Sequence, residues 1–270
     1  MTFVQDSELL SYNKQGLFPG PKEVERDFLN RVDRFLTTSY LIDTVCSESL
    51  ETAERLYDIK PSWVQVEYTN LGLRFWEAAQ VETSPKYFRF RLRKSFLNHP
   101  KYLGLYSKEE ILAHEFAHVG RMNFPPSRFE EVFAFQTSKR FRELVGPLFS
   151  TPNQSFAVVV LTTMSLLGDF LLKGTPHVWA FFKALPLIYL GYLGMKLLLT
   201  RRHYSRALKK MGKLVRDPQK AKHILYRLTG PEIQKFSRSR LKTIELYMEE
   251  QKSKELRWRL IHLAYLNSKT

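Results

Sequence analysis

Residues 107–134 of the chain read SKEEILAHEFAHVGRMNFPPSRFEEVFA, which predicts two short helices joined by a turn. Ser107 and Glu110 have the S-x-x-E form of a capping box, so a helix should begin at Ser107. Pro125–Pro126 prevents this helix from continuing, and Ser127–Glu130 repeats the capping pattern. Helices joined by so short a turn run antiparallel, which brings the start of the second near the end of the first.

Two histidines in the first helix have the spacing of metal ligands. His114 and His118 are four residues apart, so both side chains lie on one face of a helix. Both imidazoles can then reach one ion at about 2 Å, the distance that zinc requires. Glu115 lies beside the first histidine, where it can take a proton from a metal-bound water. The competing interpretation is a pair of hydrogen-bonded core histidines, because the helix is apolar between its charged ends.

A catalytic zinc site of this kind needs a third protein ligand and one position left open for water. His118 lies late in the first helix and Glu131 lies early in the second, so the antiparallel arrangement permits a third ligand there. Glu130 is the alternative third ligand, although its place in the second capping box already gives it another role.

The H-E-x-x-H string, followed by E-x-x-A at residues 131–134, resembles the gluzincins, which are zincin metallopeptidases whose third zinc ligand is a glutamate. The resemblance covers about residues 87–143. The resemblance implies that the zinc ligands are His114, His118 and Glu131. It also implies that Glu115 is the general base for peptide hydrolysis. The chain departs from the family in two ways. The interval between the second histidine and the glutamate is short, and no residue matches the group that stabilises the oxyanion.

The segments that precede this helix pair predict an α+β fold. Residues 22–45 and 48–59 have the periodicity of amphipathic helices. Three strands are expected, in residues 63–68, 73–82 and 87–96. We predict a small antiparallel sheet, and the resemblance to zincins implies that its last strand is the edge strand that precedes the site helix. The arginines that alternate along this strand would protect the edge, or would favour acidic or C-terminal peptide segments.

Two long apolar stretches follow, residues 156–172 and 178–199. Each is long enough to cross a hydrocarbon layer of about 30 Å, although the first is at the short limit. The turn between them is short, so we predict a transmembrane helical hairpin. The alternative is a buried helical hairpin inside a soluble protein. Asp169 and Lys183 favour this alternative, because charges within a membrane span are costly.

The chain is strongly basic, with 42 lysines and arginines against 27 aspartates and glutamates and a net charge of +15. Many of the basic residues lie in residues 201–216, directly after the second apolar stretch. By the positive-inside rule, both termini and the metal site should face the cytoplasm. The same segment should bind anionic lipid headgroups. No nucleic-acid-binding motif is found, so we expect no specific nucleic-acid partner.

Three regions are therefore predicted: a zincin-like metal-binding domain in residues 1–150, a two-helix membrane hairpin in 151–200, and a basic, all-helical region in 201–270. In the last region, Asp217–Pro218 and Gly230–Pro231 mark helix starts. The expected function is a membrane-anchored zinc metallopeptidase that hydrolyses peptide bonds in cytoplasmic or membrane-proximal proteins. The alternatives are a non-catalytic membrane protein with a structural or vestigial zinc site, and a basic scaffold that binds anionic lipid or nucleic acid without chemistry.

Overall fold

A computed structural model of the chain describes residues 4–37, 47–73, 77–83, 88–102, 106–171 and 176–266. Within these ranges the protein is mostly helical. The helices are α1 (Asp6–Lys14), α2 (Glu25–Thr37), α3 (Ser47–Tyr57), α4 (Lys108–Gly120), α5 (Phe129–Ala134), α6 (Arg140–Val145), α7 (Pro152–Leu171), α8 (Pro176–Val215), α9 (Pro218–Tyr226), α10 (Gly230–Arg238), α11 (Leu241–Lys252) and α12 (Leu256–Ile261). The strands are β1 (Gln65–Tyr68), β2 (Ala79–Thr83), β3 (Phe88–Leu92), β4 (Lys101–Tyr102) and β5 (Tyr106–Ser107).

The predicted helices of the N-terminal region are present in part. α2 and α3 lie within or next to the predicted ranges, whereas residues 38–46, which include Cys46, lie outside the described residues. α1 was not predicted. The reason is that its apolar pattern is weak, since the buried side chains of this helix are those of Leu9 and Asn13.

The three-stranded sheet is mixed, not antiparallel as predicted. β3 lies in the centre and pairs in parallel with β1 and antiparallel with β2. Phe90 and Leu92 of this strand are fully buried, as is typical of a central strand. The strand positions were thus close to those predicted, although residues 74–76 and 84–87 lie outside the described part.

The predicted edge position of residues 87–96 is wrong, because β3 is the central strand. Its arginines do not guard a free edge. The Arg89 guanidinium lies 3.0 Å from the Glu67 carboxylate of β1, and Arg91 lies 3.9 Å from the same group. The outer strands of the sheet are β1 and β2, and β2 is the one that borders the cleft described below.

α7 and α8 pack against each other as a helical hairpin. α8 contains 40 residues and continues far beyond the apolar stretch to Val215. Among the described residues no single helix is both long and apolar enough for a membrane span. One pair of helices, Arg140–Leu148 with Asn153–Gly168, meets the length and composition criteria together but is bent by 78°. The two-span hairpin therefore stays a prediction, and residues 172–175 and the side chain of Asp169 lie outside the described part.

The C-terminal region is all-helical as predicted, and both helix starts are confirmed. The Asp217 carboxylate accepts hydrogen bonds from the backbone N–H groups of Gln219 and Lys220 at the start of α9. Thr229 and Glu232 form a reciprocal capping box at the start of α10.

A buried ion pair joins three of the C-terminal helices. The Glu232 carboxylate of α10 lies 2.9 Å from the Arg257 guanidinium and accepts hydrogen bonds from the Trp258 indole (3.0 Å) and the Tyr247 hydroxyl (3.1 Å). Burial would raise the pKa of Glu232, but the charge and hydrogen bonds of Arg257 outweigh it and lower that pKa. The carboxylate is therefore ionised at neutral pH.

We predict that Glu232→Gln lowers the free energy of unfolding by about 1.5–3 kcal/mol at pH 7, because the buried Arg257 loses one of its two carboxylate partners and retains Glu255 at 2.9 Å. Urea denaturation measures this loss. Glu245→Gln, at an exposed position of α11, should change stability by less than about 0.5 kcal/mol. The pKa of Glu232 is lowered on folding, so its contribution is present above the unfolded value of 4.5 and is lost as the pH falls through the folded value. Equal stability of the variant and the wild type at pH 7 would contradict this assignment.

Candidate metal centre

α4 presents both histidines because its other face is buried. The helix begins where the capping box predicts, since the Glu110 N–H donates to the Ser107 hydroxyl at 3.2 Å. Its apolar stripe is fully buried, and the Phe116 ring packs against the Phe90 ring of β3 at 5.6 Å. The half-buried His114 and His118 therefore lie on the face of α4 that turns away from this core.

The two adjacent glutamates of α5 have different partners. The Arg121 guanidinium, directly after α4, donates to both oxygens of Glu130, at 2.7 and 2.8 Å. The Ser127 hydroxyl donates to the same carboxylate at 3.1 Å. Glu130 is therefore fully engaged, and the next residue, Glu131, faces the histidines of α4.

His114, His118 and Glu131 converge on one point. The Nε2 atom of His114 lies 3.7 Å from Oε2 of Glu131, and Nε2 of His118 lies 3.7 Å from Oε1. Ligand atoms at about 2 Å from a tetrahedral ion lie roughly 3.3 Å apart, so small side-chain rotations would bring all three onto one ion. The three residues thus form a group that can hold a metal. Two imidazoles and a carboxylate suit zinc and other first-row divalent ions, so the donor set alone does not identify the metal.

The protonation states of the group suit a metal site. Burial lowers the pKa of His114 to about 3, with a further contribution from His118, and burial also lowers the pKa of His118. Both imidazoles are therefore neutral at pH 7, as metal ligands must be. Their contacts with Glu131 are not ion pairs. Burial and then the charge of Glu130 raise the pKa of Glu131 to about 7, so this carboxyl group lacks a compensating positive charge.

Glu115 lies in the wall of a cleft of about 230 Å³, together with His114. The remaining residues of the wall are Ala78, Ala79, Glu110, Ile111, Phe135, Ser138 and Arg142. Burial raises the pKa of Glu115 to about 7, and the neighbouring charge of Glu131 adds to this effect. A carboxyl group that titrates near neutral pH is suited to proton transfer.

Sequence reasoning missed the part of the cleft wall that α6 contributes. The Arg142 guanidinium lies 3.3 Å from the Glu110 carboxylate, one helical turn before His114. The place of Glu110 in the cleft wall was predictable, because Glu110 is four residues before His114 and therefore shares its helix face. From the sequence, Glu110 was considered only as a capping residue. Arg142 gave no signal, since its position depends on the turn between α5 and α6.

Comparison of the chain with protein-family models, with curated proteins and with solved structures gives no match. The fold and the site therefore define a coarse class: a mostly helical protein with a small mixed sheet and a group of two histidines and a glutamate that can hold a metal ion. The resemblance to gluzincins rests on the two motifs and on the side chains that they bring together.

We predict that Glu131→Gln changes the metal content but not the stability of the metal-free protein, and that Glu130→Gln changes the stability but not the metal binding. Glu131→Gln should remove most of the bound zinc, measured by elemental analysis of purified protein, because it removes an anionic ligand. Its metal-free form should be as stable as the metal-free wild type. Glu130→Gln should lower the stability of the metal-free protein by about 3–5 kcal/mol, because Arg121 is buried, yet the folded fraction should bind zinc. Wild-type zinc content in Glu131→Gln would disprove the assignment of this ligand.

Proposed function

We propose that the protein is a zinc-dependent metallopeptidase anchored to a membrane. The observation that carries the proposal is the convergence of His114, His118 and Glu131 on one point, with Glu115 beside His114 in the wall of the adjoining cleft. An H-E-x-x-H helix with a glutamate ligand on the next helix is the arrangement of a catalytic zinc site.

Each residue of the site has a defined task in this proposal. His114, His118 and Glu131 would hold the ion. Zinc bound there would polarise the peptide carbonyl and lower the pKa of a water. Glu115 accepts the proton of the attacking water and delivers it to the leaving amine, for which a pKa near 7 is suitable.

The outer strand of the sheet offers a place for an extended peptide. The Arg93 N–H donates to the Ala78 carbonyl at 3.1 Å, so the backbone groups of Ala78 face β3. In an antiparallel pair these directions alternate, and the backbone groups of Ala79 and Val81 therefore face outward. A substrate strand that pairs with them would enter the cleft beside Glu115.

The competing function is a non-catalytic protein with a structural metal site. One observation favours it: the described wall of the cleft has no tyrosine or second histidine that could stabilise the oxyanion of peptide hydrolysis. Its one histidine, His114, is a proposed metal ligand. Ser138 and Arg142 are the remaining polar groups of that wall that are not carboxylates.

Membrane anchoring is supported by the outward faces of α7 and α8. Exposed apolar side chains on these helices are those of Phe156, Val159, Met164, Leu166, Leu167, Leu187, Ile188, Tyr192, Met195, Leu198 and Leu199. A continuous apolar surface of this kind marks a membrane or protein interface. The basic segment 201–216 favours cytoplasmic termini, so the substrates would be cytoplasmic proteins or the cytoplasmic tails of membrane proteins.

The cleft lies near the end of the apolar stretch of α8. The Arg201 guanidinium donates to the carbonyl groups of Glu143 and Leu144 at the end of α6. α6 also carries Arg142, which lines the cleft. With the hairpin in a bilayer, this contact would hold the cleft close to the membrane surface.

We expect Glu115→Gln to retain zinc and the fold but to lose at least about 100-fold in peptide cleavage, because a positioned general base contributes this much or more. Cleavage of a peptide library, followed by mass spectrometry, measures the loss. Glu51→Gln, at an exposed position of α3, is the matched control and should keep full activity. A zinc-loaded wild-type protein that cleaves no peptide would favour the structural metal site instead.

Lysine substitutions in the middle of the two apolar stretches test the anchor. Met164 is 64% exposed and Ile188 is 58% exposed, so lysine at either site would be harmless in water. At the centre of a bilayer each lysine costs about 3 kcal/mol, so the double variant Met164→Lys/Ile188→Lys should be released from membranes by carbonate while the wild type is retained. Leu246→Lys on α11, at a position with 64% exposure, is the control and should remain bound. A wild-type protein that carbonate releases would refute the anchor.

A further inference from the structure

One face of α8 carries a stripe of exposed cations after the apolar stretch ends. Its members recur at intervals of four, three and four residues and are Arg202, Arg206, Lys209 and Lys213. At 100° per residue they lie within an arc of about 60°, and at 1.5 Å per residue they span about 17 Å of helix. We call this set the cationic stripe.

The other faces of α8 are occupied in this region. Lys210 donates to the carbonyl groups of Ser237 and Ser239 at the end of α10, at 2.8 and 2.7 Å. Ala207 and Met211 are fully buried. The cationic stripe is therefore the face of α8 that turns away from the body of the protein.

Among the described residues, no carboxylate forms an ion pair with any of these four cations. Two of them act on a neighbouring group: burial lowers the pKa of His203, and the charge of Arg238 of α10, followed by those of Arg206 and Arg202, lowers that pKa further. A surface of like charges without counter-charges attracts an anionic partner. That partner would lie outside the described chain.

The same face of α8 is apolar on the N-terminal side of the stripe. Met195 and Leu198 project from it and are exposed, and Leu198 lies one turn before Arg202. A nucleic-acid duplex would complement the cations but would leave the adjoining apolar face in water. A bilayer complements both, because its hydrocarbon layer lies directly below its charged headgroups.

We propose that the cationic stripe binds the anionic headgroups of the membrane into which the hairpin inserts. The proposal rests on the membrane anchor proposed above, and it names the residues of segment 201–216 that contact the anionic headgroups. It requires α8 to leave the bilayer at an inclination, because the field of the headgroups decays within about 10 Å and the stripe is about 17 Å long.

Lysine footprinting of the full-length wild-type protein tests the proposal. The protein is reconstituted into vesicles of phosphatidylcholine alone or of an equal mixture with phosphatidylglycerol, and is acetylated with a water-soluble reagent before mass spectrometry. Acetylation of Lys209 and Lys213 should fall at least about threefold in the mixed vesicles, and high salt should restore it by screening. Lys22 and Lys252, which are exposed on other elements, should react equally in both.

A charge-reversal pair provides the matched control. Arg202→Glu/Arg206→Glu should abolish the lipid-dependent protection of Lys209 and Lys213, whereas Lys22→Glu/Arg26→Glu, with the same change in net charge, should preserve it. Equal acetylation in both lipid mixtures overturns the proposal, and so does protection by duplex DNA in phosphatidylcholine vesicles. Flotation of the vesicles after a carbonate wash reports insertion separately, so a failed anchor is distinguishable from a failed lipid site.

Discussion

A buried arginine at the end of α4 fixes the relative positions of the elements that form the candidate metal centre. The Arg121 guanidinium is almost inaccessible, and its donors are taken by the Glu130 carboxylate and by the carbonyl groups of Tyr226 and Leu228. One side chain therefore joins α4 to α5 and to the end of α9. Because Glu131 directly follows Glu130, the orientation of α5 that satisfies Arg121 also turns Glu131 toward the histidines. The geometry of the ligands is thus coupled to the avoidance of a buried, unpaired charge.

The C-terminal region supports α4 through a second residue. The Tyr226 hydroxyl donates to the Ala117 carbonyl at 2.7 Å, and its ring stacks on that of Tyr57 at 4.4 Å. This close approach requires glycine at position 120, because a Cβ atom there would collide with the Tyr226 hydroxyl. The inner face of α4 is therefore tightly packed while its outer face borders the cleft. Ligands on such a packed helix are held in place before any ion binds, which favours a well-defined coordination geometry.

Features of this chain that depend on neighbouring residues were predictable from the sequence, and those that depend on distant contacts were not. The helix starts at Ser107, Asp217 and Thr229 follow from a few adjacent side chains. The preference for Glu131 over Glu130 rested on a capping pattern and a motif match, because the contact that engages Glu130 involves Arg121, whose other partners are carbonyl groups more than 100 residues away. For the same reason the strands were found but their order was not. A period of two reveals a buried strand face, yet it does not say which strand lies in the centre.

The continuity of α8 determines how an anchor could influence the cleft. The sequence suggests a boundary near residue 200, but the structure has one uninterrupted helix of 40 residues across it, and Arg201 joins that helix to α6. A flexible linker would let a tethered enzyme reach substrates over a wide range of distances. A stiff helix does not. With the hairpin in a bilayer, the height of the cleft above the surface would be set by the few turns between the apolar stretch and α6. The proposed peptidase would then select a peptide segment by its distance from the membrane as much as by its sequence. Because position would contribute to the selection, the small cleft would not need deep pockets for side chains.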